Sequence, residues 1–532
     1  MLKIEHETPE QAAATYTRLE QEADRHLNAG EIREALAKYS YVCMKEPTHG
    51  RLNNFSVCLY RAGMPIAAAQ VATKALDIQY SSPAMINLAN GLANYGEIEP
   101  ALVTLWACWM KNPSRVDTYQ VLLTTLQSSD EMSPQGIALL SKAFGHFFGD
   151  RLAEKRRMPL RSVEGRRIRV GYFSYDLRRH SVSYFVEPLL EHHNRDAFEV
   201  FAYSFGRSDD VTQRILSKVE YGRECPDVSP PFMEYLVLKD NLDILIDLAG
   251  HTAGNLMETV SHRLAPIQTS YIGYPHTTGI PAIDYRIVDE AIAPLGTEQE
   301  WSERLYRLPH MLCYRPDATA FDVPTTRRNS DGRIVFGSCS RLAKMNQTTW
   351  GLWADVMRAA PDATFRHKTA SYNDDSCQQY TKKQFESRGV SPERIQCVQP
   401  ANLHSDHLGF FRDVDVILDT VPYAGTTTTC EAMLCGVPTV TGAGNTPASR
   451  VGQSLYLAAP SNGIVVAQNN QEYIREALRL AEAREYRAEL RQNGRARFLD
   501  SACCDGNRQA RDLEAAYLRM VMSTIQAQSG ET

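Results

Sequence analysis

The sequence predicts an α-helical repeat arm followed by an α/β part made of two doubly wound parallel-sheet domains. Three observations predict it. Glycines recur at a spacing of 33 near the amino end. After Arg167 the texture changes to short apolar runs separated by amphipathic stretches, and that alternation occurs in two successive series.

In the repeat, Gly30, Gly63 and Gly96 are each followed five residues later by Ala35, Ala68 or Ala101 and preceded by seven by Ala23, Ser56 or Ala89. Small residues at these offsets let two antiparallel helices approach closely, with the glycine at the turn between them. Pro47 and Pro113 follow their glycines by 17 and stop the second helix, whereas the middle unit's proline is displaced to Pro83. The pattern resembles tetratricopeptide repeats: three units at about 16 to 115, then a helical pair to about 150 that covers the open end of the stack. Residues 1–150 therefore form the arm, a curved surface suited to a polypeptide. Lys155, Arg156, Arg157, Arg161, Arg166 and Arg167 mark a basic linker around 151–165, read as a solvated connection rather than a nucleic-acid surface.

The whole chain has no global bias. Its 532 residues are 43% hydrophobic and 23% charged with a net charge of -6, which excludes a general attraction to nucleic acid or anionic membrane and leaves any anionic ligand to a local site. The start, MLKIEHETPE, lacks a basic region followed by an apolar stretch, and no apolar run approaches the roughly 18 residues of a membrane span. A cytoplasmic protein is expected. The 12 cysteines, Cys503 and Cys504 adjacent among them, are scattered without the spacing of a disulfide scaffold and are read as reduced thiols.

In the α/β part, IRVGYFS, FEVFAYS, DILIDLAG and DYRIVDE make the first series of strands, and RIVFGS, RIQCVQP, DVILDT and PTVTGAG the second. Apolar strands alternating with helices imply parallel sheets covered on both faces. A first lobe at 166–325 and a second at 326–532, the latter with a closing C-terminal helix, follow. Ligands of such sheets bind beyond the carboxyl ends of the strands.

The stretch DVILDTVPYAGTTTTCE, from Asp415 to Glu431, is a buried strand, a Pro/Gly loop and a row of threonines opening a helix. A helix start offers unpaired N–H groups and the positive end of a dipole, Gly425 lets backbone approach closely, and threonine hydroxyls add donors: a diphosphate cradle. One threonine alone reads as an N-cap, four in a row do not. Glu431, one turn in, is suited to accept both hydroxyls of a ribose. In GSCSRLAK, Lys344 emerges from a strand end where its cation can neutralise charge on a departing nucleoside diphosphate.

Taken together, HSVSYFVEPLLEHH from His180, DLAGHTAGN from Asp247, PIQTSYIGYPHTTGIPAIDYR from Pro266, SRLAK from Ser340 and PYAGTTTTCEAMLCGVPTVT from Pro422 resemble the catalytic region of the protein O-GlcNAc transferase family, with wording closest to its SPINDLY-type O-fucosyltransferase branch. The resemblance covers about 165 to 525 and implies a GT-B-type pair of Rossmann-like domains. It also implies roles at matched positions. Lys344 falls at the donor phosphates, Thr426, Thr427 and Thr428 around the diphosphate, Glu431 at the ribose and His407 against the base. Gly273 and Pro275 form a tight loop at the donor sugar. Arg341 occupies a neighbouring donor contact where the family often has an amide; an arginine brings a permanent charge and no acceptor. His180 matches the histidine near the acceptor hydroxyl and is the first candidate for proton transfer or acceptor positioning, with His251 the second.

The implied reaction is an inverting, metal-independent transfer of a sugar to a Ser/Thr hydroxyl of a protein bound partly by the arm. GlcNAc from UDP-GlcNAc is the first donor reading, GDP-fucose the second, and an inactive repeat scaffold a third. No metal cofactor is expected: Asp413 and Asp415 spell D-x-D but lie at the amino end of their strand, His192 and His193 are merely adjacent, and no C-x-x-C pair occurs. Neither a G-x-x-x-x-G-K-[ST] loop nor a G-x-S-x-G elbow is present.

Overall fold

The computed structural model describes residues 8–149, 158–225, 228–327, 332–401 and 403–530. Of the basic run, Lys155, Arg156 and Arg157 lie outside the described residues. The chain divides into two compact units, one of Met1–Ser129 with Cys339–Ala354 and Arg366–Pro400, the other of Asp130–Ser338, Asp355–Phe365 and Ala401–Thr532.

In the first unit the repeat forms three helical hairpins: α1 (Pro9–Ala29) with α2 (Ile32–Lys45), α3 (His49–Arg61) with α4 (Pro65–Ile78), and α5 (Ser82–Asn94) with α6 (Ile98–Lys111). Gly30, Gly63 and Gly96 turn each hairpin with φ of 79°, 78° and 97°, a backbone region that side chains with a Cβ rarely adopt. Ala23, Ser56 and Ala89 and their partners Ala35, Ala68 and Ala101 are completely buried, so the small residues do mark where the helices meet. Pro83 is displaced because it starts α5 instead of ending α4, behind the Ser81 cap whose hydroxyl accepts Ala84 N–H at 3.2 Å. α7 (Val116–Leu126) packs on α5 and α6.

α8 (Pro134–Phe144) corrects the expected covering pair, because it belongs to the second unit and lies on the first lobe. Lys142 Nζ donates to Gln299 O at 2.5 Å and Gln135 Nε2 to Glu300 Oε1 at 2.8 Å.

The first sheet contains β1 (Ile168–Ser174), β2 (Phe198–Ser204), β3 (Tyr221–Glu224), β4 (Ile244–Asp247), β5 (Ile267–Tyr271), β6 (Tyr285–Asp289) and β7 (Arg304–Leu308) in the order β3-β2-β1-β4-β5-β6-β7, parallel throughout. The second sheet contains β8 (Val335–Ser338), β9 (Thr364–Lys368), β10 (Ile395–Val398), β11 (Val416–Leu418), β12 (Thr439–Gly442) and β13 (Ile464–Ala467) in the order β10-β9-β8-β11-β12-β13. Both are doubly wound, with the reversal of strand order between β1 and β4 in one and between β8 and β11 in the other.

Buried aspartates pin the amino ends of these central strands. Asp243, just before β4, accepts Arg169 N–H at 2.9 Å and a two-pronged bond from Arg166 at 2.6 and 2.8 Å. Arg167 pairs with Glu220 at 3.1 Å, and Arg161 donates to Asn241 O at 2.5 Å. The described arginines of the basic run are therefore staples of the first lobe, a correction to the solvated-linker reading. Burial of the Asp243 carboxylate requires a cationic partner, and Arg166 supplies it. In the second lobe Asp415 accepts Val335 N–H at 2.9 Å and pairs with Arg327 at 2.8 Å.

The last helix, Gly506–Ser529, leaves the second lobe and packs on the first, against the helix Ser181–His192 and strands β5 and β7. Glu514 anchors it, taking His193 Nδ1–H at 2.9 Å and Asn194 N–H at 2.7 Å, while the Tyr172 hydroxyl lies 2.6 Å from His193 Nε2 and 3.0 Å from the Tyr517 hydroxyl. Burial holds His193 below its usual pKa even beside Glu514, consistent with a neutral ring that donates at Nδ1 and accepts at Nε2.

Candidate active site

At each switch point a buried aspartate ends the fourth strand and organises the loop that follows. Asp247, at the end of β4, accepts Gly250 N–H at 2.8 Å, Ala249 N–H at 3.1 Å and the Ser270 hydroxyl at 3.1 Å. Asp419, next after β11, accepts Gly425 N–H at 2.8 Å, Thr420 N–H at 2.9 Å and the Thr441 hydroxyl at 2.9 Å. Each carboxylate collects backbone donors of its own loop and one hydroxyl from the adjacent strand, which fixes the loop as an Asx-type turn would. Burial pushes the Asp247 carboxyl up, against those hydrogen bonds.

From Asp419 the chain passes through a cis Val421–Pro422 peptide into the helix Thr427–Leu434. A Cβ on Gly425 would stand 2.7 Å from Thr428 Oγ1, 2.9 Å from Thr429 Oγ1 and 3.1 Å from Asp419 Oδ1, so only glycine fits the bend. Thr426 sits at the N-cap position without a side-chain cap bond, which leaves the first-turn N–H groups for another acceptor. Thr426, Thr427 and Thr428 are half-buried at the helix mouth, whereas Thr429 is turned into the interior. The threonine row thus divides into three that line the cradle and one that packs beneath it.

Glu431 is 4% exposed, and its Oε2 lies 2.9 Å from His407 Nε2, which joins two positions that the sequence treats separately as ribose and base contacts. His407 belongs to the short helix His404–Gly409, whose first residue extends the site toward the first lobe. The His404 ring stacks on His407 at 5.9 Å and on Tyr184 at 5.9 Å. Burial lowers the pKa of His404 despite the nearby Glu431 carboxylate, and its Nε2 has no hydrogen-bond partner among the described residues. Burial first and Glu431 second push the Tyr184 phenol up to about 12.

His180 caps the helix Ser181–His192. Its Nδ1 is 3.4 Å from Val182 N and 3.6 Å from Asp176 Oδ2, and the side chain is 41% exposed. Nδ1 thus ties the ring to the start of this helix and to Asp176 in the loop after β1. His251 differs. It is 1% exposed, donates Nε2–H to Thr278 O at 2.7 Å, and meets the rings of Phe144 at 4.5 Å and Tyr274 at 5.1 Å. Burial lowers its pKa to about 4, so it is a neutral core histidine and presents no titratable atom to the surface. Gly273, with φ of 61°, and Pro275 are both half-buried in the loop after β5, and a Cβ on Gly273 would meet Leu248 O at 2.3 Å.

Arg341 and Lys344 lie in the other unit, on the 3₁₀ turn Leu342–Lys344 that follows β8. Arg341 is exposed and Lys344 half-buried. Lys344 N–H donates to Arg341 O at 3.0 Å.

Asp415 of the D-x-D pair is engaged by Val335 and Arg327 at the amino end of β11. Among the described residues no group of three or more His, Cys, Asp or Glu side chains stands together to hold a metal ion, and no helix is long and apolar enough to cross a membrane. Asp419, Tyr184 and His404 are site residues that sequence reasoning passes over. The available signals are an acidic residue closing the apolar run DVILD and a second histidine one helical turn before His407.

A repeat arm joined to two Rossmann-order lobes, with glycine-bearing loops at both switch points, is the GT-B architecture of glycosyltransferases. The chain belongs to glycosyl transferase family 41, whose profile matches residues 154–327 and 319–513, and the family resemblance drawn from the motifs is borne out. It is similar to the Hordeum vulgare protein named probable UDP-N-acetylglucosamine--peptide N-acetylglucosaminyltransferase SPINDLY, 37% identical over 415 residues that make 77% of this chain and 44% of that protein. The Oryza sativa subsp. japonica protein of the same name is 40% identical over 364 residues, 67% of this chain and 39% of its own length. The chain thus spans less than half the length of these relatives. Among solved structures, a mutant of the Thermobaculum terrenum O-GlcNAc transferase superposes with a TM-score of 0.90 at 29% identity, covering 98% of this chain and 100% of that one.

Proposed function

We propose that this protein transfers a sugar, GlcNAc from UDP-GlcNAc, to a Ser/Thr hydroxyl of a protein substrate, with inversion at the anomeric carbon and without a metal cofactor. The cradle at Thr426, Thr427 and Thr428 carries the reading: an uncapped helix start, opened by Gly425 and braced from below by Asp419, is built for a diphosphate. Glu431 accepts the ribose hydroxyls, and His407, beside it, packs on the base.

In the reaction the acceptor oxygen forms its bond to the anomeric carbon as the bond to the diphosphate oxygen breaks. The leaving nucleoside diphosphate gathers charge. The helix-start N–H groups and the Lys344 ammonium stabilise that charge, the work a divalent cation does in other transferases. His180 holds the acceptor hydroxyl, Gly273 and Pro275 close on the donor sugar, and Arg341 adds a cationic donor contact. The repeat arm takes part of the protein acceptor, and the protein works in the cytoplasm.

GDP-fucose is the second donor reading and rests on the SPINDLY-type wording of HSVSYF, IGYPHTTG and PYAGTTTTCE, whereas the names of the similar plant proteins specify UDP-N-acetylglucosamine. Hydrolysis and binding assays with UDP-GlcNAc, UDP-glucose and GDP-fucose separate the two. Lys344→Ala is expected to lose most turnover, about a hundredfold, while remaining folded. Absence of binding and turnover with every nucleotide sugar turns the reading toward a repeat scaffold, and near-wild-type turnover of Lys344→Ala with a proven donor removes that lysine from the mechanism.

A further inference from the structure

The turn that carries Lys344 is built against the repeat arm. Leu342 and Met345, which bracket it, are completely buried, while Lys344 itself is half-buried. Their cover includes the turn of the third hairpin. A Cβ on Gly96 would stand 3.3 Å from Met345 Cβ and 3.5 Å from Leu342 O, so the bare glycine backbone lies directly on the lysine turn.

Asn346 ties the same segment to the end of α7. Its Oδ1 accepts Thr349 N–H at 2.8 Å, capping the helix Gln347–Ala359, and its Nδ2 donates to Ser128 O at 2.9 Å. One amide therefore does two things at once: its oxygen starts a helix of the second lobe and its nitrogen holds the arm. Serine caps a helix as well as asparagine but has no second group to reach Ser128.

Further contacts fix this registration. Tyr380 donates to Glu97 Oε1 at 2.7 Å and meets Tyr95 edge-on at 5.3 Å, and Ser371 donates to Asn94 O at 3.2 Å. The Gly63 turn repeats the arrangement one hairpin earlier, its Cβ position 3.0 Å from Ala370 O.

We propose that Asn346 and the Gly96 turn are positioning elements for Lys344, so that the repeat arm helps to set the charge stabilisation of the leaving nucleotide in addition to offering a surface to the acceptor. This rests on the donor role given to Lys344 above. The lysine acts on phosphate through a long flexible side chain, so its backbone must be held if the ammonium is to be preorganised. Two of the groups that hold it, the Gly96 turn and Ser128 O, come from the arm.

The test is a double-mutant cycle in the full chain, with UDP and GDP binding measured by titration calorimetry. Asn346→Ser and Gly96→Ala are each combined with Lys344→Ala, and thermal unfolding and far-UV circular dichroism monitor the fold. Asn346→Ser keeps the helix cap, so it stays informative where the strained Gly96→Ala misfolds. Each variant is expected to weaken the diphosphate about fivefold or more when Lys344 is present and less than about twofold when it is alanine. Equal weakening in both backgrounds, or none in either, overturns the positioning role while leaving the donor site intact. A wild-type chain that binds neither diphosphate removes the donor-site reading, and this proposal with it.

Discussion

Asp419 Oδ1 and Gly425 N–H are joined at 2.8 Å across the loop that opens the threonine helix. The same carboxylate also takes Thr420 N–H and the Thr441 hydroxyl, so three donors converge on one side chain. Asn can replace only one of its two acceptor oxygens and turns an NH₂ group toward donors. Asp419→Asn is therefore expected to cost about 2 kcal/mol in stability and to weaken UDP or GDP tenfold or more. Calorimetry and thermal unfolding check it, and wild-type nucleotide affinity in the variant would falsify the bracing role.

The His407–Glu431 bond leads to a second expectation. If Glu431 reads the ribose, wild-type protein binds UDP more tightly than 2′-deoxy-UDP, and Glu431→Ala weakens UDP about tenfold while erasing that preference, since a hydrogen bond to a charged group contributes about 1.5–3 kcal/mol. Competition titrations with the two nucleotides decide it. A variant that still prefers the ribonucleotide places ribose recognition elsewhere.

Buried histidines make stability fall in acid. Burial lowers His251 and His367 to about 4 and His276 to about 3. In the unfolded chain each ring takes up its proton near pH 6.5. Between about pH 6.5 and 4 the unfolded state therefore binds more protons, and stability is lost as pH falls through that window, roughly 2–4 kcal/mol for a ring such as His251. His251→Phe costs about 1 kcal/mol at pH 7.5 through loss of the bond to Thr278 O, and should flatten the decline toward pH 5. Parallel unfolding curves for the two proteins over this range count against a neutral His251.

Gly145 and Gly279 meet backbone to backbone. A Cβ on Gly145 would lie 1.6 Å from Gly279 O, and one on Gly279 1.8 Å from Ser141 O. No side-chain motion relieves either overlap. Gly279→Ala, which also carries φ of 72°, should destabilise by about 3 kcal/mol or more, read as a lower unfolding midpoint or insoluble expression. A normal midpoint shows that α8 can shift on the first lobe without cost.

Much of the fold was legible because its strongest signals are local. The repeat glycines must adopt left-handed backbone and the alanines beside them must admit a second helix, so both are visible as a spacing. Strands such as VGYFS and VILD are apolar on both faces. β5, β9 and β3 are not: Ile267–Tyr271 buries Gln268, Thr269 and Ser270, whose polar groups are satisfied within the lobe, β9 buries His367 and Lys368, and β3 is an exposed edge. Polar residues in a strand reach the core only when hydrogen bonds made elsewhere in the chain satisfy them, which spacing does not encode. In the site, the threonines and Glu431 stood out because several donors or acceptors crowd one helix start. Asp419 and Tyr184 did not, since their partners lie across a loop or in another lobe. His251 shows the converse, a motif residue that the fold buries within the first lobe.

The helix Gly506–Ser529 gives the first lobe a property of timing. Its sheet is finished in sequence at Leu308, yet the surface over β5, β7 and the helix Ser181–His192 stays uncovered until some two hundred more residues have been synthesised. His193 and Tyr172 meanwhile lack Glu514 and Tyr517, their buried partners. A first lobe emerging from the ribosome is therefore expected to lack part of its core until the carboxyl-terminal helix has been made.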